Sequence, residues 1–244
     1  MTQQQRQKIL VIGEDTRSFL SVIRSLGRAG YCVDVVCYDQ LSPSLKSKYI
    51  SQAYFLNYQA YTNSELLEQL IQLVTQQQYQ VVVPCDERAI FPLVENQHRF
   101  PAETILAIPN QEVVDNLFDK NSTKILAEKL DIAHAKGRLL SLETLSYEEL
   151  KQEFGTTFVV KPTLSFKSDV LSKRQKVEII DSESSYRAWK QKSELNDLYL
   201  VECFFSGKGE GVSILAVDGK VLASFAHKRV SEPKSGGGSS YRKS

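Results

Sequence analysis

Two apolar runs carry side chains suited to handling a nucleotide. Phe158-Val159-Val160-Lys161-Pro162 reads as a short strand with one lysine near its end. Strand side chains alternate, so Phe158 and Val160 face one way and Val159 and Lys161 the other. Pro162 stops the ladder because it has no N–H to donate. The second run, Leu198-Tyr199-Leu200-Val201-Glu202-Cys203-Phe204-Phe205, ends in Ser206-Gly207-Lys208-Gly209-Glu210. Together they fit a purine-nucleotide cradle. The lysine would meet phosphate, the second strand's backbone the adenine edge, and a carboxylate the ribose hydroxyls. The competing reading leaves Lys161 as a solvated residue at a strand end.

The surrounding elements must position these groups. Residues 8–12 (KILVI) form an apolar strand closed by Gly13. Phe19, Leu20, Val22, Ile23 and Leu26 recur at helical spacing, and Gly27 and Gly30 end that helix. Residues 31–38 (YCVDVVCY) are the next strand, so the unit is β-α-β, parallel and right-handed. The first turn, Gly13-Glu14-Asp15-Thr16-Arg17, has one glycine, which excludes a G-x-G-x-x-G dinucleotide fingerprint. Residues 39–62 are rich in tyrosine and serine, show little periodicity and predict no element. Asn63 is expected to cap a helix over 64–78. Val81-Val82-Val83-Pro84-Cys85-Asp86-Glu87 is a third strand running into a turn. Asp86 then either meets a ligand at a strand's carboxyl end or caps the helix starting near Arg88. With a fourth strand at 104–108, residues 1–109 read as a small doubly wound α/β domain.

The second half, 110–244, reads as α+β with antiparallel strands. Asn110 opens a helix with Val113, Val114, Leu117 and Phe118 inward, and Ser122 is expected to cap another over 123–130. A strand is expected at 137–141. Ser146 and Glu149 match a capping box, with Leu150 and Phe154 apolar behind it. Residues 177–180 form a strand, and 182–192 a helix carrying Trp189 as a packing residue. Asp218-Gly219 joins strands 211–217 and 220–226 in a hairpin.

Composition narrows the class. Hydrophobic residues make up 42% and charged residues 24%, as in ordinary globular proteins. Basic and acidic residues number 30 and 29, and no basic stripe interleaved with aromatics points to nucleic acid. Cys32, Cys37, Cys85 and Cys203 lack C-x-x-C spacing and read as reduced core thiols. No apolar signal region follows the polar start, and no run approaches the roughly 20 residues of a membrane span. A cytoplasmic location is the default expectation.

The order of these parts resembles the ATP-grasp superfamily, near carbamoyl-phosphate synthase large subunits and carboxylate–amine ligases, from Lys8 onward. Residues 1–109 resemble its pre-ATP-grasp domain, with Val83-Pro84-Cys85-Asp86 similar to its strand-end P-x-D. Asp119-Lys120 is similar to the D-K before a helix, whose lysine reaches phosphates. Phe158–Pro162 matches the V-V-K-P strand. Val201-Glu202-Cys203-Phe204 with Gly207 and Glu210 matches the hinge that receives adenine and ribose. The resemblance therefore implies Lys120 and Lys161 as phosphate ligands and Glu202, with the Cys203 and Phe204 backbone, as the adenine site. Glu210 would hold the ribose, and Arg229 would meet the γ-phosphate or an acylphosphate. Implied ligands are ATP and magnesium. The implied reaction is ATP-dependent joining of a small carboxylate to an amine or thiol through an acylphosphate.

Two departures from the family pattern set further expectations. The loop Thr163-Leu164-Ser165-Phe166-Lys167-Ser168-Asp169 has no glycine, so backbone amides are less free to approach phosphates, and Ser165 or Lys167 are the candidate substitutes. After Glu210 the only carboxylates are Asp218 and Glu232, with no asparagine, so the family's magnesium ligands are not assigned to any residue. The segment Lys228–Ser240 is similar to an R-x-x-E-x-P…G-G-S-S loop and also reads as a flexible tail. The expectation is an ATP-grasp domain incomplete at its C-terminus, with little turnover alone. Alternatives are a non-catalytic nucleotide-binding scaffold, one half of a split ligase completed by a partner chain, or a remnant whose last hairpin exposes an aggregating edge.

Overall fold

The computed structural model describes residues 7–57, 62–143, 145–167, 171–194, 197–231 and 241–244. The chain divides into two compact units, Met1–Thr123 with Leu164–Gln175, and Lys124–Thr163 with Lys176–Ser244. One parallel and two antiparallel sheets make the architecture mixed α/β.

The first unit holds β1 (Lys8–Gly13), α1 (Ser18–Arg28), β2 (Cys32–Cys37), β3 (Ile50–Phe55), α2 (Asn63–Gln77), β4 (Val81–Pro84), α3 (Glu87–Glu95), β5 (Ile105–Leu106) and α4 (Gln111–Leu117). Its five strands are parallel, in the order β3-β2-β1-β4-β5. The central strands β1 and β2 are almost continuously apolar because helices cover both faces. Phe19 and Ile23 of α1 pack one face with Ile9, Val11, Val33 and Val35. Leu66, Leu70 and Val74 of α2, with Ala89 and Leu93 of α3, pack the other with Leu10, Ile12, Val36 and Val82.

Three local expectations change in this unit. Strand β3 lies in the stretch where no element was predicted. It is an edge strand, half exposed, so it carries little of the apolar signal that marks a buried strand. Helix α2 is capped by Thr62 rather than Asn63. The Thr62 hydroxyl accepts from the Glu65 N–H at 3.3 Å, and the Glu65 carboxylate accepts from the Thr62 N–H at 2.8 Å. Only Thr62 has a glutamate three residues on, as a capping box requires. Gly27 lies inside α1, where an added Cβ would collide with the Tyr49 side chain; Gly30, at φ +91°, takes the left-handed turn that ends the helix.

Helix α5 (Lys120–Lys129) crosses the boundary between the units at Thr123. Its first turn is satisfied by Asp119, whose carboxylate accepts from the Ser122 N–H at 2.7 Å. Ser122, the expected cap, is therefore already inside the helix.

The second unit continues with β6 (Gly137–Ser141), α6 (Tyr147–Phe154), β7 (Phe158–Pro162), β8 (Glu178–Ile180), α7 (Glu183–Lys190), β9 (Leu198–Cys203), β10 (Glu210–Val217), β11 (Lys220–Ser231) and β12 (Tyr241–Lys243). Strands β6-β9-β7-β8 form an antiparallel sheet. One face packs Leu140, Phe158, Val160, Tyr199 and Val201 against Leu150, Phe154, Tyr186 and Trp189 of α6 and α7. Trp189 stacks on Tyr186 and meets Tyr199 edge-on, so it is a core residue. Strands β10, β11 and β12 make the third sheet. Asp218 (φ 49°) and Gly219 (φ 74°) adopt the two positive φ angles of a type I′ hairpin turn. Of the segment expected to be a flexible tail, residues 228–231 lie in β11 and pair with β12 just beyond it; residues 232–240 lie outside the described residues.

Candidate functional site

Strands β7 and β9 are direct neighbours, with Val159 opposite Glu202 and Lys161 opposite Leu200. The pleat puts Val159, Lys161, Leu200 and Glu202 on the face opposite α6 and α7, where Leu200 and Glu202 are buried and Val159 and Lys161 half-buried. There the Lys161 ammonium donates to the Glu202 carboxylate. Glu202 keeps 9% of its side-chain exposure and Lys161 30%, so the carboxylate is nearly dry while the ammonium reaches water. Leu139 of β6 pairs with Leu200 and extends the apolar part of this face. The geometry thus brings together two of the residues selected from sequence. It makes them an ion pair, where the sequence reading gave them separate tasks.

Gly137 opens β6 directly opposite Glu202. A Cβ there would lie 2.5 Å from Glu202 Cγ, 2.8 Å from its Cα and closer still to the Val201 carbonyl oxygen. The glutamate side chain therefore occupies space that only glycine leaves free. Sequence reasoning missed Gly137, because its meaning depends on a partner 65 positions away.

The remaining predicted residues are dispersed. Cys203 packs its side chain against the α6–α7 core, and its N–H donates to the Lys136 carbonyl at 2.8 Å. Only its carbonyl is left for an adenine edge. Phe204 and Phe205, just past β9, are exposed. Glu210 begins β10, in a different sheet, with its carboxylate 3.9 Å from Lys228 Nζ. Arg229 lies in β11 opposite Arg242, and its N–H donates to the Gly209 carbonyl at 2.7 Å.

Lys120 belongs to the first unit, where its Nζ lies 3.5 Å from Ser165 Oγ. The Ser165 carbonyl also accepts from the Gln175 N–H at 2.8 Å. The glycine-free loop is held by apolar anchors. Phe166 and Leu171, both buried, pack with Phe91, Val94 and Val114. Residues 168–170 lie outside the described residues.

The strand-end P-x-D motif has a structural role. The Asp86 carboxylate accepts from the Arg88 N–H at 3.0 Å, capping α3. It also takes both Nε and Nη2 of the same arginine, at 3.2 and 2.8 Å. Arg88 Nη2 reaches Glu14 as well, at 2.8 Å, and the guanidinium lies 4.3 Å from the Tyr38 ring centroid and 5.4 Å from that of Phe166. Burial alone would lower the arginine's pKa; the hydrogen bond and charge of Asp86, with the bond to Glu14, outweigh it and raise the pKa. Next to it, burial pushes the Cys85 thiol up to about 12, with Asp86 and Asp15 adding to the shift. Cys85 is therefore no nucleophile near neutral pH.

No family model matches the sequence, and no curated protein does. Solved structures do match. Carboxyaminoimidazole ribonucleotide synthase from Aspergillus clavatus, solved with ATP, superposes with a TM-score of 0.66 at 16% identity, over 93% of this chain and 55% of that one. The biotin carboxylase domain of Hydrogenobacter thermophilus 2-oxoglutarate carboxylase, solved with MgADP, ADP and bicarbonate, gives 0.62 at 15% identity, over 93% and 51%. L-amino acid ligase from Bacillus licheniformis gives 0.61 at 16%, over 92% and 51%. These are ATP-grasp ligases, and the chain has the ATP-grasp fold. It spans about half the length of the solved structures it matches.

Proposed function

We propose that the chain is the nucleotide-binding part of an ATP-grasp ligase. The observation that carries this reading is the Lys161–Glu202 pair on adjacent strands, on the sheet face opposite α6 and α7. Lys161 supplies the charge a phosphate requires, and Glu202 accepts from the donor edge of adenine. Leu139 and Val159, half-buried on the same face, give the base an apolar bed. The Cys203 carbonyl is a further acceptor for the adenine. In this reading Lys120 is a second phosphate ligand, Glu210 holds the ribose and Arg229 meets the anionic end of the reaction. When bound, ATP supplies the phosphoryl group that activates a carboxylate for attack by an amine or thiol.

The resemblance also implies magnesium, and the described residues do not fit it. No group of three His, Cys, Asp or Glu side chains among them is placed to hold a metal ion. Glu210 lies beside a lysine. No step is assigned to the metal.

Calorimetry with ATP tests the reading. The wild-type chain is expected to release heat on binding, and Lys161→Ala to bind at least about tenfold more weakly, the loss of one charged contact. Equal affinities would remove Lys161 from the site. A second reading is nucleotide binding without turnover, as one half of a two-chain ligase. ADP release from the chain alone, supplied with a carboxylate and an amine, would decide against it.

A further inference from the structure

We infer that Gly137 is a positioning residue for adenine recognition, holding the Glu202 carboxylate where it meets Lys161. This inference rests on the nucleotide reading of that pair. It starts from the sheet itself. Gly137 and Glu202 are directly opposed on β6 and β9, on the same face as Lys161. The glutamate must stand up from β9 in a space bounded on one side by β6. With glycine at 137, Glu202 Cγ fits against the bare backbone; with any other residue a Cβ would sit 2.5 Å from that carbon, and 2.4 Å and 2.8 Å from the Val201 carbonyl oxygen and Glu202 Cα of the β9 backbone. These separations are far inside van der Waals contact, so the glutamate, the strand, or both must move. Glu202 is nearly buried and has no slack on its own strand, where Val201 is fully buried beneath it.

The consequence is specific to one half of the ligand. Displacing Glu202 removes an acceptor from the adenine edge and releases Lys161 from its partner. The phosphate-binding charge remains, less neutralised than before. A side chain at 137 should therefore weaken ATP while leaving a ligand made only of phosphates unaffected or bound more tightly. A general loosening of the fold would weaken both. Position 137 tolerates movement because it is the first residue of an edge strand. The strand end can swing outward and leave the α6–α7 core intact.

The test is calorimetry on the whole chain with ATP and, separately, inorganic tripolyphosphate. Wild type, Gly137→Ala, Glu202→Ala and the double variant are compared, with thermal unfolding followed in parallel. Gly137→Ala is expected to bind ATP about tenfold more weakly, one misplaced hydrogen bond, with no loss for tripolyphosphate. In the Glu202→Ala background the same change should cost less ATP affinity than in the wild type, because the side chain it displaces is gone while the close approach to the Val201 carbonyl remains. Equal weakening of both ligands, or additive losses in the double variant, overturns the inference. Should Gly137→Ala not unfold cooperatively, the double variant set against Glu202→Ala carries the test alone, and a further loss of about tenfold in ATP affinity overturns it. Absence of ATP binding by the wild type rejects the nucleotide reading itself. Unchanged ATP affinity in Gly137→Ala beside a binding wild type rejects only this inference.

Discussion

Each unit places a basic side chain against a carboxylate at a strand end, and the two arrangements are opposites. In the first unit Arg88 is bound to Asp86 and Glu14 and lies against Tyr38 and Phe166, with 16% of its side chain exposed. In the second, Lys161 has Glu202 as its described partner and 30% exposure. A guanidinium satisfied on its plane and on its faces is a fastening. A flexible ammonium that water reaches can exchange one anion for another. The P-x-D and V-V-K-P stretches therefore hold their charged groups in different ways. The first ties β4 and α3 to β1, and the second faces outward from its sheet.

The largest expected effect comes from breaking the fastening. Arg88→Met leaves two carboxylates close together with no cation and should cost about 3 to 5 kcal/mol, as for other buried ion pairs that lose one member. Urea unfolding followed by circular dichroism measures this. A cost below about 1 kcal/mol would put Arg88 in the same class as Lys161. Phe166→Ala comes next, at about 3 kcal/mol, since a buried ring that packs with Phe91, Val94 and Val114 leaves a cavity. Hydrogen exchange should show faster exchange in residues 164–167 and in α3. Protection unchanged there would mean that the loop is not held by its ring.

Lys161→Met should cost less, about 1 to 2 kcal/mol, because water reaches the ammonium while Glu202 is left nearly buried. The comparison predicts that stability and binding separate. Arg88→Met acts mainly on unfolding and Lys161→Met mainly on ATP affinity. Thermal shifts with and without ATP for both variants would show it. A Lys161 variant as unstable as the Arg88 variant would erase the distinction between fastening and site.

The sequence exposed much of this plan wherever signals were local. β1, β2 and β4 are short apolar runs, Ser146 and Glu149 make the expected capping box, and Asp218-Gly219 makes the expected turn. Lys161 and Glu202 were recognisable as chemistry-bearing types. Their pairing was not, since it depends on how β7 and β9 register across 41 positions. The same non-local dependence hid Gly137. Strand β3 escaped for a different reason, because an exposed edge strand has no need of a continuous apolar pattern. The caps at Thr62 and Asp119 were each misplaced by a few residues, within reach of several side chains able to accept the same N–H.

The smallest effect tests whether acids at the end of β1 are structural as a group. Asp15, next to Glu14, accepts from the Phe19 N–H at 2.8 Å and from the Ser18 hydroxyl at 2.9 Å at the start of α1. Burial works to raise its pKa, and these bonds together outweigh burial, leaving it below the ordinary carboxylate value. A depressed folded pKa gives stability that is complete above the unfolded value near 4 and is lost as the pH falls through the folded one. Asparagine accepts the same bonds and does not titrate, so Asp15→Asn should cost under about 1 kcal/mol at neutral pH, within the range for a helix cap. The difference between variant and wild type should then shrink below about pH 4, as the wild-type carboxylate takes up its proton. Thermal unfolding from pH 7 to pH 2.5 measures it. A difference that stays constant across that range would mean that the Asp15 charge does not help to hold α1, and the structural role of the β1 end would rest on Glu14 and Arg88 alone.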